Sequence, residues 1–552
     1  MKALLILPPA DFAQRRAYTA MPPLGLAYLA ASLRKDGIGV RAEDLWFRQP
    51  TDLAALLAEY RPDLLGIQVS SHQCLTSRDC AAMAKRILPE CRVVFGGCHA
   101  TALPELILSR WPEVDAVVVG EGEETLTELC GILERGGDPA TVAGLALRDA
   151  SGEALRTPPR PFIEDLDRLP RPDRGWFPLD RYPKHRRYGL YAPRLGVTSS
   201  RGCHGRCSFC ASGRLWGNRW RTRSDGDVLG ELAELAEQYP GEPIRFTEDN
   251  FCFDPTRVME ICEGILRRGL TIRWWANSRV DLPAEKPEEM FSIMAQAGCQ
   301  RLSFGIESAA PEVLEAMHKQ SSPEMIELTL RRADEAGLHC HAFLILGCVN
   351  ENKETIRHTL RVMRRCAVPS VNTTVATIYP GTELADFAAY HPGSLQNNGT
   401  YNDEYWLESQ TPPNFVGFIR EWELDFYMEV LRELELTGLA RFAGRRLRRH
   451  DTTPARQAAP VLLHGAGLIT AGGVLIYGAV AAPVVTAGFL TLLGLTTIVV
   501  AGYISRRNHG HLSDSPCFVP RLGWIRLHTW TRRGMNRLAA MSAWLGGLLT
   551  SR

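Results

Sequence analysis

The chain has 552 residues, enough for several domains, and 63 Lys and Arg offset 62 Asp and Glu to a formal net charge of +1. That balance leaves no electrostatic footprint for nucleic acid in the bulk composition. The opening run Met1-Lys-Ala-Leu-Leu-Ile-Leu7 is too short for a secretory signal and reads as a first β-strand. Twelve of the 15 cysteines are scattered without a CxxC pair, which fits a reducing compartment where a buried thiol acts as a small hydrophobe.

Short apolar runs at 3–7, 63–69, 92–97 and 115–120 alternate with helical segments such as 24–33. They predict a doubly wound, Rossmann-like parallel sheet over residues 1–145. Ligands of such sheets bind beyond the carboxyl ends of the strands, where glycine lets backbone approach closely. Those ends read Ser70-Ser71-His72, Gly96-Gly97-Cys98-His99 and Gly120-Glu121-Gly122. His72 and His99 are each expected to be structural rather than metal ligands.

A Pro- and Arg-rich segment, 146–194, has apolar anchors that predict an ordered strap rather than a free linker. From 195 to 395, strand-like runs at 195–199, 243–247, 272–276, 301–305, 342–346 and 373–377 predict a partial (β/α)6 barrel. The working groups of a barrel lie at the C-terminal ends of its strands. The residues at those ends are Glu248-Asp249, Arg279, Glu307-Ser308, Gly347 and Tyr379-Pro-Gly.

After the first of these strands comes Cys203-His-Gly-Arg-Cys207-Ser-Phe-Cys210. Three thiolates at this spacing can hold three irons of a [4Fe–4S] cluster and leave the fourth open to S-adenosylmethionine (SAM). A zinc knuckle would need a second ligand pair, and none follows. Three unrelated core cysteines are the plain alternative.

The cysteine motif, Pro22-Pro-Leu-Gly-Leu-Ala-Tyr-Leu-Ala30, Gly96-Gly-Cys-His-Ala-Thr-Ala-Leu-Pro-Glu105 and Gly120-Glu-Gly-Glu-Glu-Thr125 together resemble class B radical SAM enzymes. In these a cobalamin-binding domain precedes the barrel. The resemblance implies cobalamin contacts from Ser70, Ser71, Gly96, Gly97, His99, Gly120, Glu121 and Gly122. It implies SAM contacts from Phe209, Glu248, Asp249, Arg279, Glu307, Ser308 and Gly347. Arg279 is expected to fork onto the SAM carboxylate, Glu248 or Asp249 to meet its ammonium, and Glu307 to bind SAM or orient Arg279. Three departures stand out: the Asp-x-His-x-x-Gly cobalt-ligand signature is absent, Glu248 replaces the first Asp of the family's Asp-Asp-x-Phe turn, and Gly347-Cys-Val349 replaces a Gly-x-Pro turn.

The resemblance implies a cobalamin-dependent C-methyltransferase driven by a flavodoxin- or ferredoxin-like electron donor. A radical cyclase or oxidative or rearranging enzyme of the same architecture is the nearest alternative, and a non-enzymatic cobalamin or metal carrier the more distant one. The catalytic acid–base residues are not legible, although His341, Tyr379 and Glu351 are candidates.

Residues 396–455 read as an aromatic-rich helical extension. From Gln457 to Ser505 there is no Asp, Glu, Lys or Arg. Within 456–505, two apolar stretches of about 20 residues each are long enough to cross a bilayer as a hairpin. Arg445-Arg-Leu-Arg-Arg449 before it and Arg506-Arg507 after it predict both ends on the cytoplasmic face. The tail 506–552 mixes Trp with Arg like an interfacial helix. Membrane attachment in turn predicts a hydrophobic, lipid-like or isoprenoid, substrate.

Overall fold

A computed structural model of the protein describes residues 1–9, 21–46, 50–187, 190–282, 287–390 and 404. The expected membrane hairpin and basic tail lie outside the described residues, as does the helical extension apart from Glu404. Among the described residues no helix is long and apolar enough to cross a membrane. Met1–Val461 forms one compact unit, and the domains below belong to it.

The N-terminal sheet has seven strands in the order β2-β1-β3-β4-β5-β6-β7. These are β1 (Lys2–Leu7), β2 (Gly39–Asp44), β3 (Leu64–Gln68), β4 (Arg92–Gly96), β5 (Ala116–Val118), β6 (Leu145–Arg148) and β7 (Ala154–Arg156). The first five are parallel and the last two antiparallel. Strand alternation explains why the central runs are continuously apolar. Leu4 and Ile6 enter one buried layer, while Ala3 and Leu5 enter the layer on the other face. Each such fully buried leucine contributes about 1.5–3 kcal/mol. β2, Gly-Val-Arg-Ala-Glu-Asp, is an edge strand that sequence periodicity misses because half of it is polar. β6 and β7 carry the sheet past residue 145.

The described residues of the connector are tied to both sheets. Its Phe177 and Tyr182 pack into the N-terminal core. At its middle, Asp173 N–H donates to Ala27 O at 2.9 Å. Arg174 Nη2 donates to Gly196 O of the barrel at 2.6 Å.

The second sheet has six parallel strands in sequential order, Leu195–Val197, Ile244–Phe246, Trp274–Arg279, Cys299–Glu307, His339–Leu346 and Ser370–Val375. Trp274, Ala276, Leu302, Phe304, Ile306, Ala342 and Leu344 join the layer shared with the helices. Alternation then sends Asn277, Arg279, Ser303 and Glu307 to the other face, the barrel interior. The first and sixth strands are not paired, so the barrel is open on one side. Ser208, between the second and third motif cysteines, accepts Leu384 N–H at 2.8 Å and donates its own N–H to Met317 O at 3.0 Å. The cysteine loop is thereby stitched to the segments that follow the fourth and sixth strands.

Candidate functional site

The cysteine loop begins beyond the first barrel strand. Gly202 precedes it with φ +92°, and a Cβ there would lie 1.9 Å from Arg219 O, so only glycine fits. Each motif sulfur accepts an N–H: Cys203 Sγ from Gly205 at 3.3 Å, Cys207 Sγ from Arg279 Nη1 at 3.2 Å, and Cys210 Sγ from Ser212 at 3.5 Å. Cys203 and Cys207 are half-buried and Cys210 is exposed, whereas most other described cysteines are buried. Among the described residues no three His, Cys, Asp or Glu side chains converge on a single ion. Ligands that each hold a different iron of one cluster need not converge.

Beyond the second strand, Glu248 is buried and accepts from Ser199 N–H at 3.2 Å and from the Ser199 hydroxyl. Burial pushes its pKa up to about 7. Its Oε2 is buried with no hydrogen-bond partner among the described residues. Asp249 is exposed and takes the Ser212 hydroxyl at 2.6 Å, tying the strand end to the second residue after Cys210. Asn250 Oδ1 accepts Arg279 N–H at 3.1 Å and so fixes the end of the third strand.

A cavity of about 410 Å³ separates the carboxyl ends of the N-terminal sheet from the first two barrel strands. One wall is Gln68, Gly96, Gly97, Gly120, Glu121 and Gly122; the other is Thr198, Ser200, Arg201, Thr247, Glu248 and Asp249. Leu24, Gly25, Tyr28, Leu29, Leu215 and Trp216 line its sides. At Gly120 (φ +85°) an added Cβ would meet nothing within 4 Å, so bare backbone faces open space.

Glu121 does more than line this wall. Its carboxylate accepts Arg201 Nη1 at 2.6 Å, Arg221 Nη1 at 2.8 Å and Ile163 N–H at 2.8 Å. Glu123 takes Arg201 Nη2 at 2.5 Å. The Arg201 guanidinium also sits 5.5 Å from the Tyr28 ring centre and 5.8 Å from that of Trp216. Glu121, expected as a cobalamin contact, is thus committed to a buried ion-pair network between the two domains.

Several other expected site residues have partners within the fold. Ser70, Ser71 and His99 are not among the cavity residues. His99 turns inward, with Nδ1 3.0 Å from Ser71 Oγ, and burial lowers its pKa to about 4. Ser70 Oγ donates to Gln73 Oε1 at 2.9 Å. Arg279 does not present a free fork: Asp281 takes Nε at 2.8 Å and Nη2 at 2.7 Å. Nor does Glu307 orient Arg279; it pairs with Lys319 at 3.1 Å, on a backbone with φ +63°. Gly305 makes room for that pair, since a Cβ there would lie 2.6 Å from Glu307 Oε1. Ser308 Oγ accepts Ala310 N–H at 3.2 Å, a turn-capping contact. Phe209 packs against the apolar cluster of Ala310, Val313, Met317 and Ile378.

Gly347 has φ +82°, and its N–H and that of Cys348 both donate to Glu351. The buried carboxylate holds the turn that Pro would otherwise stiffen, and burial raises its pKa to about 7. His341 Nδ1 lies 2.7 Å from Ser370 Oγ. Tyr379 meets His72 Nε2 at 3.2 Å, a further contact between the barrel and the N-terminal domain.

The residues present fit the expected cofactors. Three accessible sulfurs with N–H donors suit a cluster, the orphaned Glu248 Oε2 suits a cationic group, and the open Gly120 backbone on the cavity wall suits a large planar ligand. Residues 13–130 match the B12 binding domain and residues 197–363 the Radical SAM superfamily. An uncharacterized methyltransferase of Pyrococcus horikoshii is 36% identical over 437 residues, 78% of this chain and 93% of that protein. The anaerobic magnesium-protoporphyrin IX monomethyl ester cyclase of Rubrivivax gelatinosus is 27% identical, over 66% of this chain and 65% of that one. Hopanoid C-3 methylase of Methylococcus capsulatus is 28% identical, over 68% and 70%. In fold, the chain is similar to the radical SAM methyltransferase TsrM of Kitasatospora setae, solved with cobalamin and a [4Fe–4S] cluster bound (TM-score 0.63, 20% identity, 78% of this chain and 88% of that one). The cofactors are those of that architecture: a [4Fe–4S] cluster, SAM and cobalamin. The chain belongs to the class B radical SAM enzymes, in which a cobalamin-binding domain precedes the radical SAM domain.

Proposed function

We propose that this enzyme transfers a methyl group to an unactivated carbon of a hydrophobic, lipid-like or isoprenoid, substrate. The observation that carries the reading is one cavity with the glycine ends of the N-terminal sheet on one wall and Glu248 on the other. When bound, the cluster and SAM supply one-electron reductive chemistry and cobalamin carries methyl groups. The chain positions these groups. Cys203, Cys207 and Cys210 hold the cluster. Glu248, whose Oε2 has no hydrogen-bond partner among the described residues and whose pKa burial raises to about 7, would receive the SAM ammonium. Asp249 flanks that contact. Gly120, where an added Cβ would meet nothing within 4 Å, would leave bare backbone facing the corrin, and the Glu121–Arg201 pair links the two walls.

Supports for the substrate class are the apolar C-terminal stretch and the methylase relative whose name specifies a hopanoid. On this reading residues 1–145 and 195–395 are the cofactor domains, 146–194 the strap, and 396–455 a closing extension. Residues 456–505 then anchor the protein at the cytoplasmic face of a membrane, with 506–552 as an interfacial tail, and a flavodoxin- or ferredoxin-like protein supplies electrons. A radical cyclisation or oxidation is the second reading, favoured by the 27% identity to the protoporphyrin ester cyclase. Lipid extracts of cells with and without the enzyme, fed methyl-deuterated methionine, separate the two. A labelled methyl group confined to the enzyme-bearing cells supports methyl transfer; an unlabelled product with a new ring or altered oxidation level supports the second reading.

A further inference from the structure

We infer that Arg279, opposed by Asp281, sets the reduction potential of the cluster held by the cysteine loop. The inference rests on the cluster reading above and adds a role for two residues outside the ligand set. Arg279 closes the third barrel strand, and its side chain is 10% exposed. Nη1 donates to Cys207 Sγ at 3.2 Å while Nε and Nη2 are held by Asp281 at 2.8 and 2.7 Å. The loop is shaped for this approach: a Cβ at Gly205 would lie 2.5 Å from Nη1. Any larger residue at 205 would drive the guanidinium off the sulfur.

Reduction adds negative charge to a cluster and its thiolates. A cationic N–H donor on a ligand sulfur stabilises the reduced form more than the oxidised one and raises the potential. Asp281, in contact with the same guanidinium, cancels part of that charge and lowers it. The two residues therefore act with opposite sign on one property. A pair that only braced the strand end would not, because loss of either member would loosen the loop in the same way.

The test is potentiometric titration of the reconstituted full-length protein, followed by electron paramagnetic resonance, with iron content measured beside it. Arg279→Gln is expected to shift the potential to more negative values and Asp281→Asn to less negative ones, both with full iron. Shifts of the same sign, or no shift in either variant, overturn the inference. Should Arg279→Gln fail to retain iron, Gly205→Ala replaces it. Its added methyl displaces Nη1 and is expected to give a negative shift, and an unchanged potential overturns the proposal. Iron retained by the unsubstituted protein secures the cluster reading independently, so unchanged potentials would count against Arg279 and Asp281 alone.

Discussion

Glu121 and Arg201 meet at 2.6 Å with side chains only 4% and 9% exposed, and they belong to different domains. Glu121 lies in the Gly-Glu-Gly turn that closes β5; Arg201 lies two residues before Cys203. The wall that would carry cobalamin is thereby bolted to the base of the cluster loop. Arg221 and Glu123 complete the network, so no charge in it is left without an opposite partner.

Glu121→Ala should be severely destabilising. It leaves Arg221 without its carboxylate and Arg201 with only Glu123, in a buried site where removing one partner costs about 3–5 kcal/mol. Urea denaturation of the variant and the unsubstituted protein measures this. A loss below about 1 kcal/mol would mean that water reaches the network and that the domains are held mainly by apolar packing.

Replacing Cys203, Cys207 or Cys210 by Ala should remove the visible iron–sulfur absorption, because each thiolate holds one iron. Cys98 and Cys366 are outside the motif, and their Ala variants should keep it. An intact cluster in all three motif variants would refute the ligand assignment.

Gly120→Val tests the cobalamin wall. The position has φ +85° and opens onto the cavity, so the substitution both strains the turn and fills the space. Hydroxocobalamin retention should fall at least tenfold while iron content holds. Unchanged retention would place the cobalamin site elsewhere on the sheet.

Glu351 should impose a pH dependence on stability. Its folded pKa of about 7 lies above the ordinary value of 4.5, so the folded state keeps a proton that the unfolded chain releases. The contribution is complete below about 4.5 and is lost as pH rises through about 7. Glu351→Gln cannot lose that proton. Relative to the unsubstituted protein it should gain on the order of 1 kcal/mol per pH unit across this window, then level off. Parallel stability curves would show that Glu351 titrates normally.

Local signals in the sequence located the cysteine loop and the cores of the six barrel strands, because each depends on neighbours within a few residues. The Arg201–Glu121 pair was not legible: its members are 80 residues apart, and nothing beside Arg201 announces its partner. The third barrel strand runs Trp274–Arg279 rather than 272–276, and its pairing with the fourth strand skips Gln300 between Trp274 and Trp275. His99 sits in a glycine-rich turn suited to a ligand, but the helical geometry after Gly97 points it into the core toward Ser71. Arg279 was placed correctly at a strand end, where Asp281, two residues on, takes its Nε and Nη2.

The most direct measurement is turnover of the anaerobically reconstituted enzyme with methyl-deuterated SAM and a membrane lipid extract, read by mass spectrometry. Deuterated methyl on the bound cobalamin and on a new lipid product, together with 5′-deoxyadenosine, is the predicted result. 5′-Deoxyadenosine formed with no deuterium in either cobalamin or product would contradict methyl transfer.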